Sequence, residues 1–151
     1  MLTIWGRINS INVMKVLWAC AEMDIAYQRI DAGMQHGVVG SDEYGELNPN
    51  RRVPTIRDGD FVLWESNTIV RYLAAKYGKG TLGIDDPGKR ASAEKWMDWG
   101  FTLGVPNGPL FWGYVRTPPD KRDPAALEAS RVPDRRMLRK GTRVPRRAPR
   151  P

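Results

Sequence analysis

The chain has 151 residues, 41% of them hydrophobic, enough for one globular domain or for one domain and part of a second. No apolar run approaches the roughly 18 residues that a membrane span needs, and the start "MLTIWGRINS" lacks the pattern of a secretory signal. A single cysteine, Cys20, excludes an internal disulfide and a Cys-x-x-Cys redox centre, so a reducing cytoplasm is the expected location. The net charge of +7 is confined to one end: residues 1–130 hold 15 Lys and Arg against 16 Asp and Glu, whereas residues 131–151 hold nine basic residues and one acid. The basic balance therefore says nothing about the body of the chain.

"LTIW" (2–5) reads as a short buried strand. After the polar turn "GRINSIN", Val13, Val16, Leu17 and Cys20 recur at helical spacing, with Met23 extending the face and Asp24 closing it. "AYQRID" (26–31) reads as a second strand, joined to the first by that helix and therefore parallel to it through a right-handed crossover. The glycine-rich stretch that follows has room for one short irregular helix. "PTIRD" and "FVLW" flank "DGD", the signature of a hairpin, and Ser66 opens a helix with apolar face Ile69, Val70, Leu73, Ala74 and Tyr77, ended by Gly78. A linker over 79–86 leads to a helix starting near Pro87, which Pro106 and Pro109 are expected to interrupt or kink. Asp123 and Pro124 mark the cap and first position of a further helix.

Three corners carry possible chemistry, and each has a plain structural alternative. Pro54, at the mouth of a strand, is either a trans proline closing a loop or a cis proline that turns the N–H and C=O of Val53 outward for an extended, peptide-like ligand. Ser66 either caps its helix beside a solvated Glu65, or the two form adjoining acceptors, a helix N-terminus for a carboxylate and an acid for an ammonium. That pair of acceptors is what the end of an α-amino acid requires. Asn9, Ser10 and Asn12 surround another helix start; they either cap it or hold a sulfur anion, which a hydroxyl, an amide and the helix dipole can stabilise. Cys20 lies on an apolar helix face and reads as a buried inert thiol; His36 reads as a loop residue.

The run "WGRINSINVMKVLW…YQRIDAG…LNPNRRVPTIRDGDFVLWESNTIVRYLAAKYG" resembles the N-terminal domain of bacterial glutathione transferases over residues 2–78, with Asn-Pro-x-x-x-Val-Pro and Glu-Ser-Asn-x-Ile-Val-x-Tyr-Leu as its most specific elements. The match continues more loosely to residue 130. The resemblance implies an α/β fold, a thioredoxin-like mixed four-stranded sheet with flanking helices over 1–78, followed by an incomplete all-α domain over 87–130. It also implies glutathione as co-substrate and no metal. On that likeness Val53 beside a cis Pro54 pairs with the cysteinyl backbone, Glu65 and Ser66 hold the γ-glutamyl amine and carboxylate, Arg52 approaches the glycyl carboxylate, and Gln35 matches a glutathione-contacting glutamine of some members. Ser10 or Asn12 stands where the family stabilises the thiolate, with no tyrosine in that turn. The implied activity is glutathione transfer to a small electrophile. Reduction of a disulfide or peroxide, a non-catalytic binding module and an inactive truncated remnant stay open beside it. A homodimer is implied if the helical part folds.

The chain departs from the family where its later helices should complete the second domain, leaving Trp96, Trp99, Phe101, Phe111 and Trp112 without the elements that normally shield them. Residues 131–151 then carry four prolines and no apolar period. No aromatics interleave their basic residues to stack on bases, which argues against a nucleic-acid partner, and nothing points to a membrane. Two readings of this tail fit: a disordered basic extension, or a change of coding frame near Arg131. Translating the neighbouring frame of the gene is expected to continue the interrupted helix; a frame without such a helix would leave the disordered extension.

Overall fold

Leu2 and Ile4 are buried on one side of β1 (Leu2–Trp5), and Thr3 and Trp5 are half-buried on the other, the burial of a strand covered on both faces. The computed structural model describes residues 1–129. In it β1 pairs in parallel with β2 (Tyr27–Ile30), Leu2 opposite Tyr27, and antiparallel with β3 (Thr55–Asp58), Ile4 opposite Ile56. Gly59, at φ 63°, makes the hairpin turn to β4 (Phe61–Trp64), which pairs antiparallel with β3. The order β2-β1-β3-β4 is the mixed four-stranded sheet of the resemblance.

Helix α1 (Ile11–Glu22) buries Val13, Val16, Ala19 and Cys20, spaced to fall on one stripe, and α3 (Ser66–Tyr77) buries Ile69 and Leu73. The two helices pack on one another, and with Leu2, Ile4 and Ile56 their buried residues form one core. Burying side chains of this size stabilises by roughly 1.5–3 kcal/mol each before entropy is counted. At the far end of α3, Asp58 accepts hydrogen bonds from Tyr72 (2.8 Å), Lys76 (2.8 Å) and Tyr77 (2.7 Å), pinning the helix to the end of β3. The segment between β2 and β3 holds two helical pieces where one was expected, a 3-10 turn at Met34–His36 and helix α2 (Asp42–Leu47). Ser41 caps α2 by accepting from the Tyr44 amide at 3.2 Å.

Helix α4 (Pro87–Phe111) starts at the proline the sequence nominates, but it is not interrupted at Pro106 or Pro109. The helix continues past both prolines, and a widened π turn, Trp112–Arg116, follows it. Helix α5 (Pro124–Ala129) is capped as expected, Asp123 accepting from the amides of Ala125 (2.9 Å) and Ala126 (3.1 Å). Among the described residues no helix is long and apolar enough to cross a membrane. The tail over 131–151 lies outside the described residues.

The chain divides into two compact units, residues 1–95 and residues from 96 onward. In the second, Trp96, Phe101, Phe111 and Trp112 are all exposed, while Trp99 is half-buried and meets Trp96 edge-on at 5.8 Å. Leu127 packs against Gly113, where a β-carbon would have no room, and is the one buried side chain among the residues of this unit whose burial is described. So thin a core offsets little conformational entropy. Amide hydrogen exchange is expected to show strong protection in β1, β3, α1 and α3 and little between residues 96 and 129; equal protection in both units would contradict this.

Candidate functional site

The turn between β1 and α1 is tied to the end of β2 by two backbone bonds, Gly6 N–H to Ile30 (2.8 Å) and Arg7 N–H to Ala32 (3.1 Å). Arg29 adds a third tie, donating to the Gly6 carbonyl at 2.9 Å while paired with Asp31. Ser10 occupies the N-cap position of α1 with extended backbone, and its carbonyl accepts the first helical bond from Met14 at 2.8 Å. Its side chain is buried yet makes no capping bond, nor any other hydrogen bond among the described residues. Routine capping, the plain alternative for this position, is therefore not what the hydroxyl does. Asn12, exposed on the first turn of α1, accepts from the Ser66 hydroxyl at 3.4 Å.

Ser66 is corrected in position: it is the first residue of α3, and Glu65 stands at the N-cap. Glu65 reaches that position through a left-handed backbone, φ 71° and ψ 109°, and its carbonyl accepts from the Ile69 amide at 2.9 Å. For a residue with a β-carbon this conformation costs on the order of 1–3 kcal/mol, the kind of strain found where a side chain must be aimed. The exposed carboxylate does not cap the helix. Nor is Glu65 the isolated anion that the sequence suggests. Lys15, half-buried on α1, donates to the Asn67 side chain at 3.0 Å and lies in the field of Glu65. Burial pushes the Lys15 ammonium below its ordinary value, and the Glu65 charge acts against that shift. Asn12 and Lys15 thus face Ser66, Asn67 and Glu65 along a polar seam between α1 and the start of α3.

The third corner is the Val53–Pro54 bond, which is cis. Val53 is half-buried, and neither its N–H nor its C=O has a hydrogen-bond partner among the described residues. The segment before it is held by buried polar side chains. The Arg52 carbonyl accepts from the Tyr44 hydroxyl (2.7 Å) and from Asn48 Nδ2 (2.9 Å), and both side chains also bond Thr55 Oγ1, at 2.8 and 2.9 Å. Asn48 Oδ1 accepts from the Asn50 amide at 2.9 Å, closing the turn through Pro49. Tyr44, Asn48 and Thr55 are all buried, and burial raises the Tyr44 phenol above its ordinary value. Sequence reasoning assigned none of these three a role, although Asn48 opens the Asn-Pro-x-x-x-Val-Pro run that carried the resemblance.

Gln35 and Arg52 are not joined to the other candidates by any hydrogen bond. Gln35 sits exposed on the 3-10 turn with its amide 3.1 Å from His36 Nε2, and the Arg52 guanidinium is exposed. His36 ends that same 3-10 turn. Cys20 is buried in the core, and desolvation pushes its thiol up to about 11, as an inert thiol requires. Among the described residues no group of His, Cys, Asp and Glu is placed to hold a metal.

Residues 1–75 match the family model of the glutathione S-transferase N-terminal domain. The chain is 50% identical over 133 residues to glutathione S-transferase GstB of Escherichia coli strain K12, covering 86% of this chain and 64% of that protein. It is 38% identical over 91 residues to glutathione S-transferase 2 of Schizosaccharomyces pombe, covering 56% of this chain and 40% of that one. Among solved structures, the theta class glutathione S-transferase of Xanthomonas axonopodis pv. citri with glutathione bound is similar at 48% identity and a TM-score of 0.81, over 85% of this chain and 62% of that one. Glutathione transferase F2 of Populus trichocarpa follows at 28% identity and a TM-score of 0.76, over 86% and 63%. The chain thus spans less than two thirds of the length of each of these proteins.

Replacing Asn48 by Leu leaves the Arg52 carbonyl and Thr55 with one buried donor fewer. A loss of about 1–3 kcal/mol of stability is expected in urea unfolding. An unchanged midpoint would show that the clamp around Val53 contributes nothing.

Proposed function

The chain belongs to the glutathione S-transferase family, and from that premise we propose that residues 1–78 bind glutathione and activate its thiol for attack on a small electrophile. The observation that carries the proposal is Ser10, a buried residue at the start of α1 whose hydroxyl is unused as a cap. In this reading the tripeptide lies extended past the strand start, its cysteinyl amide and carbonyl paired with the open C=O and N–H of Val53. Its γ-glutamyl carboxylate meets the first amides of α3 and the Ser66 hydroxyl, and its ammonium meets Glu65. Arg52, whose guanidinium has no hydrogen-bond partner among the described residues, reaches the glycyl carboxylate. Gln35 is carried into the proposal by resemblance alone.

The chemistry follows from these placements. Ser10, or Asn12 through its amide, donates to the cysteinyl sulfur, and the α1 dipole adds to that donation. Both favour the thiolate over the thiol. The proton leaves to solvent. The sulfur lone pair then forms an S–C bond to the electrophilic carbon as the leaving group departs with its electron pair. Holding the tripeptide at both ends makes the attack effectively unimolecular once the electrophile is bound.

Isothermal calorimetry is expected to detect glutathione binding by the purified chain. In the variant carrying both Ser10→Ala and Asn12→Ala, binding should persist within a few-fold while the thiolate fraction at neutral pH and turnover with a generic electrophile fall about tenfold or more, the equivalent of one pKa unit. Activity with a mixed disulfide alone would replace conjugation by reduction. No heat of association from a native preparation would remove the proposal.

A further inference from the structure

Arg7 lies in the run that carries the resemblance but has no role in the glutathione reading, yet its position joins two of the three corners. Its carbonyl accepts from the Ser10 amide at 3.2 Å, so its backbone is part of the turn that presents the Ser10 hydroxyl. Its side chain runs the other way, to the segment after β2. A β-carbon built on Gly33 would stand 2.9 Å from Arg7 Nη1 and 3.5 Å from Val53 Cγ1. The guanidinium and the Val53 side chain therefore flank one point, and Gly33, buried with φ 86°, is the residue that leaves room for both. Arg7 is half-buried, so its charge is screened less than that of a surface arginine.

We infer that Arg7 is an electrostatic positioning residue for the thiolate, its permanent cation set beside Val53 while its backbone carbonyl holds the Ser10 turn, so that its field lowers the pKa of the bound cysteinyl thiol. The inference rests on the proposed glutathione site. If the cysteinyl backbone pairs with Val53 and its sulfur turns toward Ser10, the sulfur lies between the two places where Arg7 is fixed. A hydroxyl and an amide donate hydrogen bonds but carry no net charge, whereas a guanidinium stays protonated throughout the range in which a thiol titrates. The other charged groups around these elements do not replace it. Arg29 is paired with Asp31 at the end of β2, His36 follows on the 3-10 turn, and Asp31 lies in its field. Lys15 and Glu65 face one another at the α1–α3 seam, and Arg52 precedes Val53 with an exposed side chain.

The test titrates the thiol of bound glutathione through the ultraviolet absorbance of its thiolate, in the unmodified chain and in the Arg7→Met and Arg7→Lys variants. S-methylglutathione, which has no thiol to ionise, measures binding separately. Arg7→Met is expected to raise the thiol pKa by about one unit, with S-methylglutathione affinity changed less than about threefold, and Arg7→Lys to restore most of the shift. An unchanged thiol pKa in Arg7→Met would overturn the inference while leaving the glutathione site standing. So would a parallel loss of S-methylglutathione affinity not rescued by lysine, since Arg7 would then only hold the Gly33 segment in place. If Arg7→Met does not fold, Arg7→Gln is read in the same way. A native unmodified chain that binds neither glutathione nor its methyl thioether would remove the site reading and this inference with it.

Discussion

The Arg52 carbonyl is the pivot of the first unit. A backbone acceptor just before a strand is ordinarily satisfied by neighbouring backbone or by water. Here two buried side chains from one short helical segment, Tyr44 and Asn48, take that role and share Thr55 as a second partner. The arrangement is closed: each buried polar group has its partner, and an incomplete version would cost more than an apolar one. With the carbonyl before it and the strand after it both held, Val53 has little freedom, and its own N–H and C=O stay open. The clamp satisfies the carbonyl just before Val53, while the N–H and C=O of Val53 itself have no partner among the described residues.

The start of α3 shows the same division between supporting and exposed groups. Glu65 sits in a left-handed backbone that an unconstrained glutamate would leave, so the packing of α3 against α1 and the core must maintain it. Asn12 and Lys15 supply part of that support through Ser66 and Asn67. Lys15 gives up some hydration to stand there and lies in the field of the acid, which makes the seam electrostatic as well as steric. Because Asn12 reaches from the α1 turn to Ser66, the corner proposed for the thiol and the corner proposed for the amino-acid head are mechanically one object.

Much of this was readable from residues alone, for reasons that differ by element. The strands and the hairpin followed from short apolar runs around a turn whose glycine adopts φ 63°, and α1 and α3 from apolar residues spaced three and four apart. That the Ser10 side chain does not cap α1 was not readable from its neighbours, because a serine at a helix start is a cap in most sequences. Ser66 misled in the opposite sense. Serine is a good cap and glutamate is not, so local propensity placed the cap one residue late, and tertiary packing overrode it by forcing Glu65 into positive φ. Lys15 gave no sign at all, since a lysine on an amphipathic helix reads as solvated until the partner helix is in place. Pro106 and Pro109 were read as points of interruption or kinking because each removes a backbone donor, and the α4 backbone runs on uninterrupted to Phe111.

Burial is distributed unevenly between the two units. The core cluster of the first unit gathers Leu2, Ile4, Val16, Cys20, Ile56, Ile69 and Leu73. Each proposed glutathione contact is carried by an element resting directly on that core or on the Tyr44–Asn48 clamp beside it. The contacts proposed for the tripeptide are thus all carried by residues of the first unit. The aromatic side chains of α4 and the turn after it stand in a different relation, for Trp96, Phe101, Phe111 and Trp112 remain exposed. Exposed aromatic surface of that extent is a surface built to be covered.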